Sequence, residues 1–470
     1  MVMGSLNQET EVAVIGSGPG GYVAALRLAD LGKEVTLIEE RDRPGGTCLL
    51  EGCIPSKTLI HAVEISETAK HAGKIGLSFD KMTVDHQALR TWTDEVVASL
   101  SNGVKGLLKR RGIEVVHGRA EFQDSHTLLI DGSGTVQFQQ CIIATGSNLA
   151  HLPPGIDPSV WSSADALKLP EVPESLLVVG GGYIGLEMGL VYAGLGAEVS
   201  VVEFFPRLLM GADLDLVEVM VKQVTPRLHE IMLESKVTSI EPKNGSFEVV
   251  IDHAGRALTK HYARVLVAIG RIPNTRDIGL KNTKVKVDEH GFIHTDRECR
   301  TDDPDIFAIG DVTHGPMLAH KASREGKVAA EVIAQHKAEF DNRAIPAVVF
   351  TDPEIAWTGL TERDAEAEGI DIKVGKFPLS ALGRARTLGR TAGLVKIISE
   401  PETNLILGVG MVGPHVSELI AEGTLAIEMG ATLEDLMVTI HPHPTLSEAI
   451  MEAAEVAAGA AVHLNPPRKK

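Results

Sequence analysis

Two cysteines in the run Gly45-Gly-Thr-Cys48-Leu-Leu-Glu-Gly-Cys53-Ile-Pro-Ser-Lys57 are the residues of this chain best suited to redox chemistry. At this spacing two sulfurs can meet across one helical turn, and a thiol–disulfide couple exchanges electrons in pairs. A helix is expected from Lys57 to Ala72. Cys53, just ahead of it, would feel the positive end of the helix dipole, which favours a thiolate. A metal half-site or two inert buried thiols would use the same residues. A metal would need a second ligand pair, and none follows, so no metal centre is expected. The remaining cysteines read as a packing thiol (Cys141, in an apolar run) and a loop thiol (Cys299, in Arg297-Glu-Cys-Arg300).

Near the C-terminus, His441-Pro-His443-Pro-Thr-Leu-Ser-Glu448 sets an imidazole close to a carboxylate. Alone, Thr445 to Glu448 reads as a capping box with Thr445 as N-cap, and His443 as a turn residue. Beside a dithiol the pair gains a second use. Substrate thiols must lose protons before they attack a disulfide, and a histidine oriented by a carboxylate suits that task. His441 is expected to serve the turn.

These groups need a scaffold, and the chain shows one as a repeat. A β-branched run ending at Ile15 leads into Gly16-Ser-Gly18-Pro-Gly-Gly21, then a helical stretch, then Val35-Thr-Leu-Ile-Glu39. A second copy runs from Leu176 through Gly180-Gly-Gly182-Tyr-Ile-Gly185 to Val199-Ser-Val-Val-Glu203. The offset from first glycine to acid is 23 residues in both. Each copy closes on a like strand, Cys141 to Gly146 and Val265 to Gly270. Strand, glycine turn and helix bring backbone N–H groups to a pyrophosphate, and the acid takes the ribose hydroxyls. Two dinucleotide sites are therefore expected. Glu203 would accept from a free 2′-hydroxyl and repel a 2′-phosphate, which favours NAD over NADP.

The fold class implied is α/β: two doubly wound domains followed by a mixed α+β domain. Boundaries are expected at 1–150 and 276–345 for the two parts of the first nucleotide domain, 151–275 for the second, and 346–470 for the last. Helices are expected near 321–337 and 415–429. At 470 residues, roughly 150 per domain gives about three domains. An apolar content of 44% excludes a disordered chain. With 45 basic and 63 acidic residues the net charge is −18, which argues against nucleic-acid or anionic-membrane partners. No apolar run approaches the ~18–20 residues of a bilayer span. Met1–Glu11 is polar, without the pattern of a signal peptide, so a cytoplasmic home is expected.

With these motifs in hand, the chain from 10 to 455 resembles the class I pyridine-nucleotide disulfide oxidoreductases, and within them the branch that oxidises dihydrolipoamide. The resemblance rests on the cysteine segment, on Gly310-Asp311 with Gly315-Pro-Met-Leu-Ala-His320, and on the His443–Glu448 segment. It implies Rossmann-like domains for FAD and NAD and a C-terminal dimerisation domain. It assigns to FAD the residues Gly16, Gly18, Gly21, Glu39, Gly46, Thr47, Lys57, Ala120, Thr145, Gly146 and Ser147. To these it adds Gly310, Asp311 (which holds the ribityl chain), Met317, Leu318, Ala319 and His320. To NAD it assigns Gly180, Gly182, Tyr183, Ile184, Gly185, Glu187, Glu203, Val237 and Gly270.

The resemblance further implies that Cys48 exchanges with substrate, Cys53 faces the flavin, and Lys57 pairs with Glu187. His443, oriented by Glu448, would act from the partner subunit of a homodimer. Lipoyl-bearing subunits of 2-oxoacid dehydrogenase or glycine cleavage complexes are the partners it implies. A reductase of another small disulfide, and a non-catalytic flavoprotein scaffold or NADH sensor, are the alternative functions. The chain departs from the family between the cysteines, where the usual Asn-Val or Asn-Ile is Leu50-Glu51. An acid beside a thiolate is expected to raise its pKa.

Overall fold

The computed structural model describes residues 6–79 and 83–464; part of the polar N-terminal stretch, 1–5, lies outside them. Val35–Glu39 is buried at every position, as a strand covered on both faces must be. It pairs in parallel with Leu6–Ile15, which pairs in parallel with Gly134–Ile143. Helices Pro19–Asp30 and Ala319–Ile333 pack together against this sheet. Ile306–Ala308 returns from far along the chain to pair with Gly134–Ile143. The first nucleotide domain is thus assembled from two separated pieces.

The second copy of the repeat builds a parallel sheet of Glu230–Met232, Glu198–Val202, Ser175–Val179 and Arg264–Val267. A three-stranded antiparallel meander, Ser235–Lys243, Ser246–His253 and Arg256–Tyr262, is built onto this domain. The last domain is a five-stranded antiparallel sheet in the order Ala347–Val349, Glu354–Gly359, Ile406–Gly413, Leu394–Ser399, Lys373–Pro378. Helices Val416–Met429 and Glu448–Ala458 pack on it.

Two helix limits differ from expectation for local reasons. The helix expected from Lys57 begins at Cys53, because Pro55 in its first turn needs no N–H partner there. The helix expected to reach 337 ends at Ile333, where Gln335 takes a left-handed φ of 64°. Val416–Met429 stops at Gly430, in the left-handed conformation that glycine adopts most readily.

A buried ion cluster fastens the last domain to the second. The Lys396 ammonium, fully buried, donates to Asp213, Asp215 and Glu362 at 2.6, 2.8 and 2.8 Å. Burial alone would lower its pKa, but the three carboxylates overcome this and hold it raised. Asp213 also accepts from the backbone N–H of Glu362, at the start of a helix in the last domain. Loss of the Lys396 ammonium would leave the buried Asp213 carboxylate without its charge partner, which costs about 3–5 kcal/mol.

Candidate active site

Cys48 sits on a short helix, Gly46–Glu51, that Gly52 separates from the long helix Cys53–His71. Cys53 is therefore the first residue of the long helix, where unpaired N–H groups favour a thiolate. Lys57 lies one turn further on. Hydrogen bonding with the Cys48 thiol brings Cys53 down to a pKa of about 7. Burial and the Glu187 carboxylate oppose this, while Lys57 and the helix N–H assist. Cys48 moves the other way, pushed up by the same hydrogen bond and by burial. Of the two sulfurs, Cys53 ionises first.

Lys57 Nζ lies 2.8 Å from Glu187 Oε2. The other oxygen of Glu187 accepts from the Phe350 N–H at 3.0 Å, and the ammonium lies 4.4 Å from the centre of the Phe350 ring. One buried carboxylate thus ties together the helix of the redox pair, the helix Tyr183–Leu195 of the second domain, and the last domain.

Glu51 corrects an expectation. Its carboxylate is engaged in an ion pair with Arg41, at 3.1 Å. A carboxylate that raises Cys53 is Glu187. Glu51→Val is accordingly expected to move the pH midpoint of Cys53 ionisation by less than about 0.3 unit. Lys57→Met should raise that midpoint by about one unit or more. Long-wavelength thiolate–flavin absorbance against pH reads both. A downward shift of a full unit in Glu51→Val would show that the acid does face the thiolate.

A single cavity joins the cysteines to the first glycine turn. Of the residues expected at FAD, it is lined by Gly16, Gly18, Glu39, Gly46, Thr47, Lys57, Ala120, Thr145, Gly146, Ser147, Gly310, Asp311, Met317 and Ala319. Tyr183, Ile184 and Glu187 of the second domain border it as well. The turn Gly310–Val312 is held from behind by Glu325, which accepts from the Gly310 N–H at 2.7 Å, and by Lys321, which donates to the Gly310 carbonyl at 3.1 Å. Ser147 Oγ donates to Asp311 Oδ2 at 2.5 Å, and Arg271 Nε donates to Ser147 Oγ at 2.7 Å.

Three expected FAD residues stand elsewhere. Gly21 packs helix on strand: a Cβ there would lie 1.8 Å from the Gly16 carbonyl oxygen. Leu318 sits at the start of the helix Ala319–Ile333, outside the cavity lining. His320 turns its Nε2 to the Pro346 carbonyl at 2.7 Å, joining two domains.

The cavity suits a dinucleotide on two observations. Gly18 and Gly46 approach so closely that a Cβ on Gly46 would meet the Gly18 Cα at 2.5 Å, leaving bare backbone as a cradle. Arg41 Nη1, from a side chain of the lining, is buried without a partner among the described residues, a donor suited to an anionic group. Arg41 and Ser17 were missed in the sequence. Their signal was adjacency: Ser17 stands between the two turn glycines and Arg41 two residues past the acid.

The second fingerprint repeats the backbone contacts of the first. The Ser17 and Gly181 N–H groups donate to Glu39 and Glu203 at 2.8 and 2.6 Å. A Cβ on Gly16 or Gly180 would lie 2.4 Å from the Ala144 or Ala268 oxygen. In the second domain, a Cβ on Gly185 would meet the Gly180 oxygen at 2.0 Å, so Gly185 too packs its helix on the strand. Gly182 caps that helix and Gly270 follows its closing strand with φ of +122°. Val237 is buried in the core of this domain, so its side chain is not free to meet a ligand. Arg207, the base nearest Glu203 in sequence, spends its guanidinium on the carbonyls of Ala212 and Met210 at 3.0 and 3.2 Å.

His443 Nδ1 and Glu448 Oε1 are 2.8 Å apart. Burial tends to raise the Glu448 carboxyl, but the Thr445 N–H and His443 outweigh it and hold it below its ordinary range. The capping box is half formed. Glu448 accepts from the Thr445 N–H, but Thr445 Oγ1 bonds the Pro442 carbonyl and Ser447, and the helix starts at Glu448 with Ser447 as its cap. His441 braces the turn, with contacts to the Thr439 carbonyl and to Glu422. Within one chain the His443–Glu448 pair is not part of the cavity lining. The His443 side chain is 78% exposed, and Ile440 and Met429, both exposed (94% and 75%), belong to the same domain. Cys141 is deeply buried and its thiol is pushed up. Cys299, expected in a loop, is buried in a turn with φ of 64°, and burial raises its thiol too.

Comparisons with known proteins agree with this geometry. Residues 10–326 match the pyridine nucleotide-disulphide oxidoreductase family, and residues 345–454 match that family's dimerisation domain. The chain is 47% identical to a dihydrolipoyl dehydrogenase of Haemophilus influenzae, over 98% of each protein. It is 44% identical to one of Geobacillus stearothermophilus, over 99% of each. Among solved structures, LpdA of Mycobacterium tuberculosis superposes with a TM-score of 0.88 at 27% identity, covering 95% of this chain and 99% of that one. The HOCl-induced flavoprotein disulfide reductase RclA of Escherichia coli gives 0.84 at 28% identity, with coverages of 95% and 99%.

Proposed function

This chain belongs to the pyridine nucleotide-disulphide oxidoreductases, and from that premise we propose that it is an enzyme that oxidises dihydrolipoamide through the Cys48–Cys53 couple and reduces NAD. FAD would be held along the cavity by the first glycine turn, Glu39, Arg41 and Asp311, and NAD by the second glycine turn and Glu203. When bound, FAD would supply the two-electron chemistry that links the dithiol to NAD. The buried Glu203 carboxylate and the occupied Arg207 guanidinium suit a free 2′-hydroxyl better than a 2′-phosphate.

In the reaction proper, His443 of a second copy takes the proton of one substrate thiol. The resulting thiolate attacks Cys48 Sγ; the Cys48–Cys53 bond breaks, and its electron pair leaves on Cys53. The second substrate thiol then attacks its partner sulfur in the mixed disulfide and closes a cyclic disulfide; Cys48 leaves as a thiol with the proton His443 had taken, and His443 accepts the proton of the second thiol. Cys53 is the better leaving group of the two, since its thiol has the lower pKa and Lys57 stands beside it. The observation that carries the proposal is geometric: Cys53 opens the long helix with Lys57 one turn on, and both cysteines line the cavity that reaches the first glycine turn. Lipoyl-bearing subunits of 2-oxoacid dehydrogenase or glycine cleavage complexes would be the partners, in the cytoplasm. The domain limits that fit are 1–150 with 276–345, 151–275 and 346–470. No helix among the described residues is long and apolar enough to cross a membrane.

The test mixes the FAD-loaded protein with dihydrolipoamide and NAD⁺ and follows NADH. Rapid NADH formation is expected. Reduction of the dithiol by NADH without turnover on dihydrolipoamide would move the substrate to another small disulfide. No reduction by either would leave a scaffold or sensor.

A further inference from the structure

Away from the cysteines, three backbone segments are aligned by isolated bridges, Val287 with Ile293 and Ile293 with Thr313. The residue that follows each bridged position is Asp288, His294 and His314. Ile293 and Thr313 are buried, so their successors face the other way, outward. One ligand atom from each of the three residues falls within 4.8 Å of the others. We propose that Asp288, His294 and His314 form a binding site for a divalent transition-metal ion, with zinc the first occupant to consider.

The donors are of the right kind. Two imidazoles and a carboxylate suit a borderline divalent ion, and they leave positions for water. The carboxylate is held in place: Asp288 Oδ1 accepts from the His290 and Phe292 N–H groups, both at 2.9 Å. Its Oδ2 faces His314 Nε2 at 3.3 Å. The Phe292 ring stacks on His314, with centroids 5.2 Å apart, and limits that ring's rotation. Ligand atoms around a common ion at about 2.1 Å lie about 3–4 Å apart, so small side-chain rotations close the set. Among the described residues, the other cluster with such spacing, Asp213, Asp215 and Glu362, already holds the Lys396 ammonium. No such cation stands between Asp288 and the two histidines, and the acidic net charge of −18 favours a cation there.

The test uses the FAD-loaded enzyme with its redox cysteines oxidised, so that they do not compete for metal. Titration with ZnCl₂ by calorimetry is expected to show one ion per chain. His294→Gln and His314→Gln should each weaken binding by at least about ten-fold. Asp288→Asn serves as a third, independent variant. Turnover and flavin spectrum should stay as in the wild type, since none of these residues lines the cavity. Cu²⁺ in the same protein should give an electron paramagnetic resonance spectrum with couplings to two nitrogens. Zinc binding of wild-type strength in both histidine variants, a copper spectrum without two nitrogen ligands, or no ion bound would each overturn the site.

Discussion

Cys53→Ser is expected to keep its FAD and its fold while turnover on dihydrolipoamide falls by about 10³-fold or more. Without Cys53 there is no protein disulfide for the substrate thiolate to attack, and nothing else near the cavity can replace it: Cys141 and Cys299 are buried with raised thiols. Cys48→Ser should be equally inactive but spectrally different. It leaves the sulfur of lower pKa beside Lys57, so long-wavelength thiolate–flavin absorbance should appear without any reductant. That signal should fade as pH falls through the Cys53 pKa of the variant, because protonation removes the thiolate. In Cys53→Ser it should be missing at every pH. If the two spectra came out reversed, the assignment of leaving and exchanging sulfur would be the wrong way round.

What could be seen in the sequence was whatever repeats at short range. Gly16 to Glu39 and Gly180 to Glu203 announce themselves because strand, turn, helix and acid must follow at a fixed offset for one carboxylate to reach one backbone N–H. Contacts between distant segments carry no such signal. Lys57 and Glu187 are 130 residues apart, and only the docking of three domains joins them with Phe350. Glu51 misleads for the same reason: sequence sets it beside Cys53, while the fold gives it Arg41 as a nearer partner. His320 belongs by resemblance to the FAD stretch, and in the fold its Nε2 meets the Pro346 carbonyl. Asp288, His294 and His314 come from three segments whose alignment exists only after folding, so a search for paired ligands passes over them.

His443→Gln is expected to slow oxidation of dihydrolipoamide by about 10²–10⁴-fold, the usual worth of a general base. Reduction of the dithiol by NADH should proceed at close to the wild-type rate, because no substrate thiol is then deprotonated. A sharper consequence follows from where His443 lies. In one chain it is exposed and outside the cavity that holds the cysteines, on a domain that matches the family's dimerisation unit. If a second copy supplies it, a dimer of one Cys53→Ser chain and one His443→Gln chain contains one intact site. That site takes its cysteines from the second chain and its histidine from the first; the other site lacks both. Random pairing of the two inactive variants, refolded or co-expressed, should therefore restore about a quarter of wild-type turnover, since half the dimers are mixed and half their sites are whole. If His443 instead served its own chain, every site in the mixture would lack one group and no activity would return. The outcome rests on which chain supplies the base rather than on its strength.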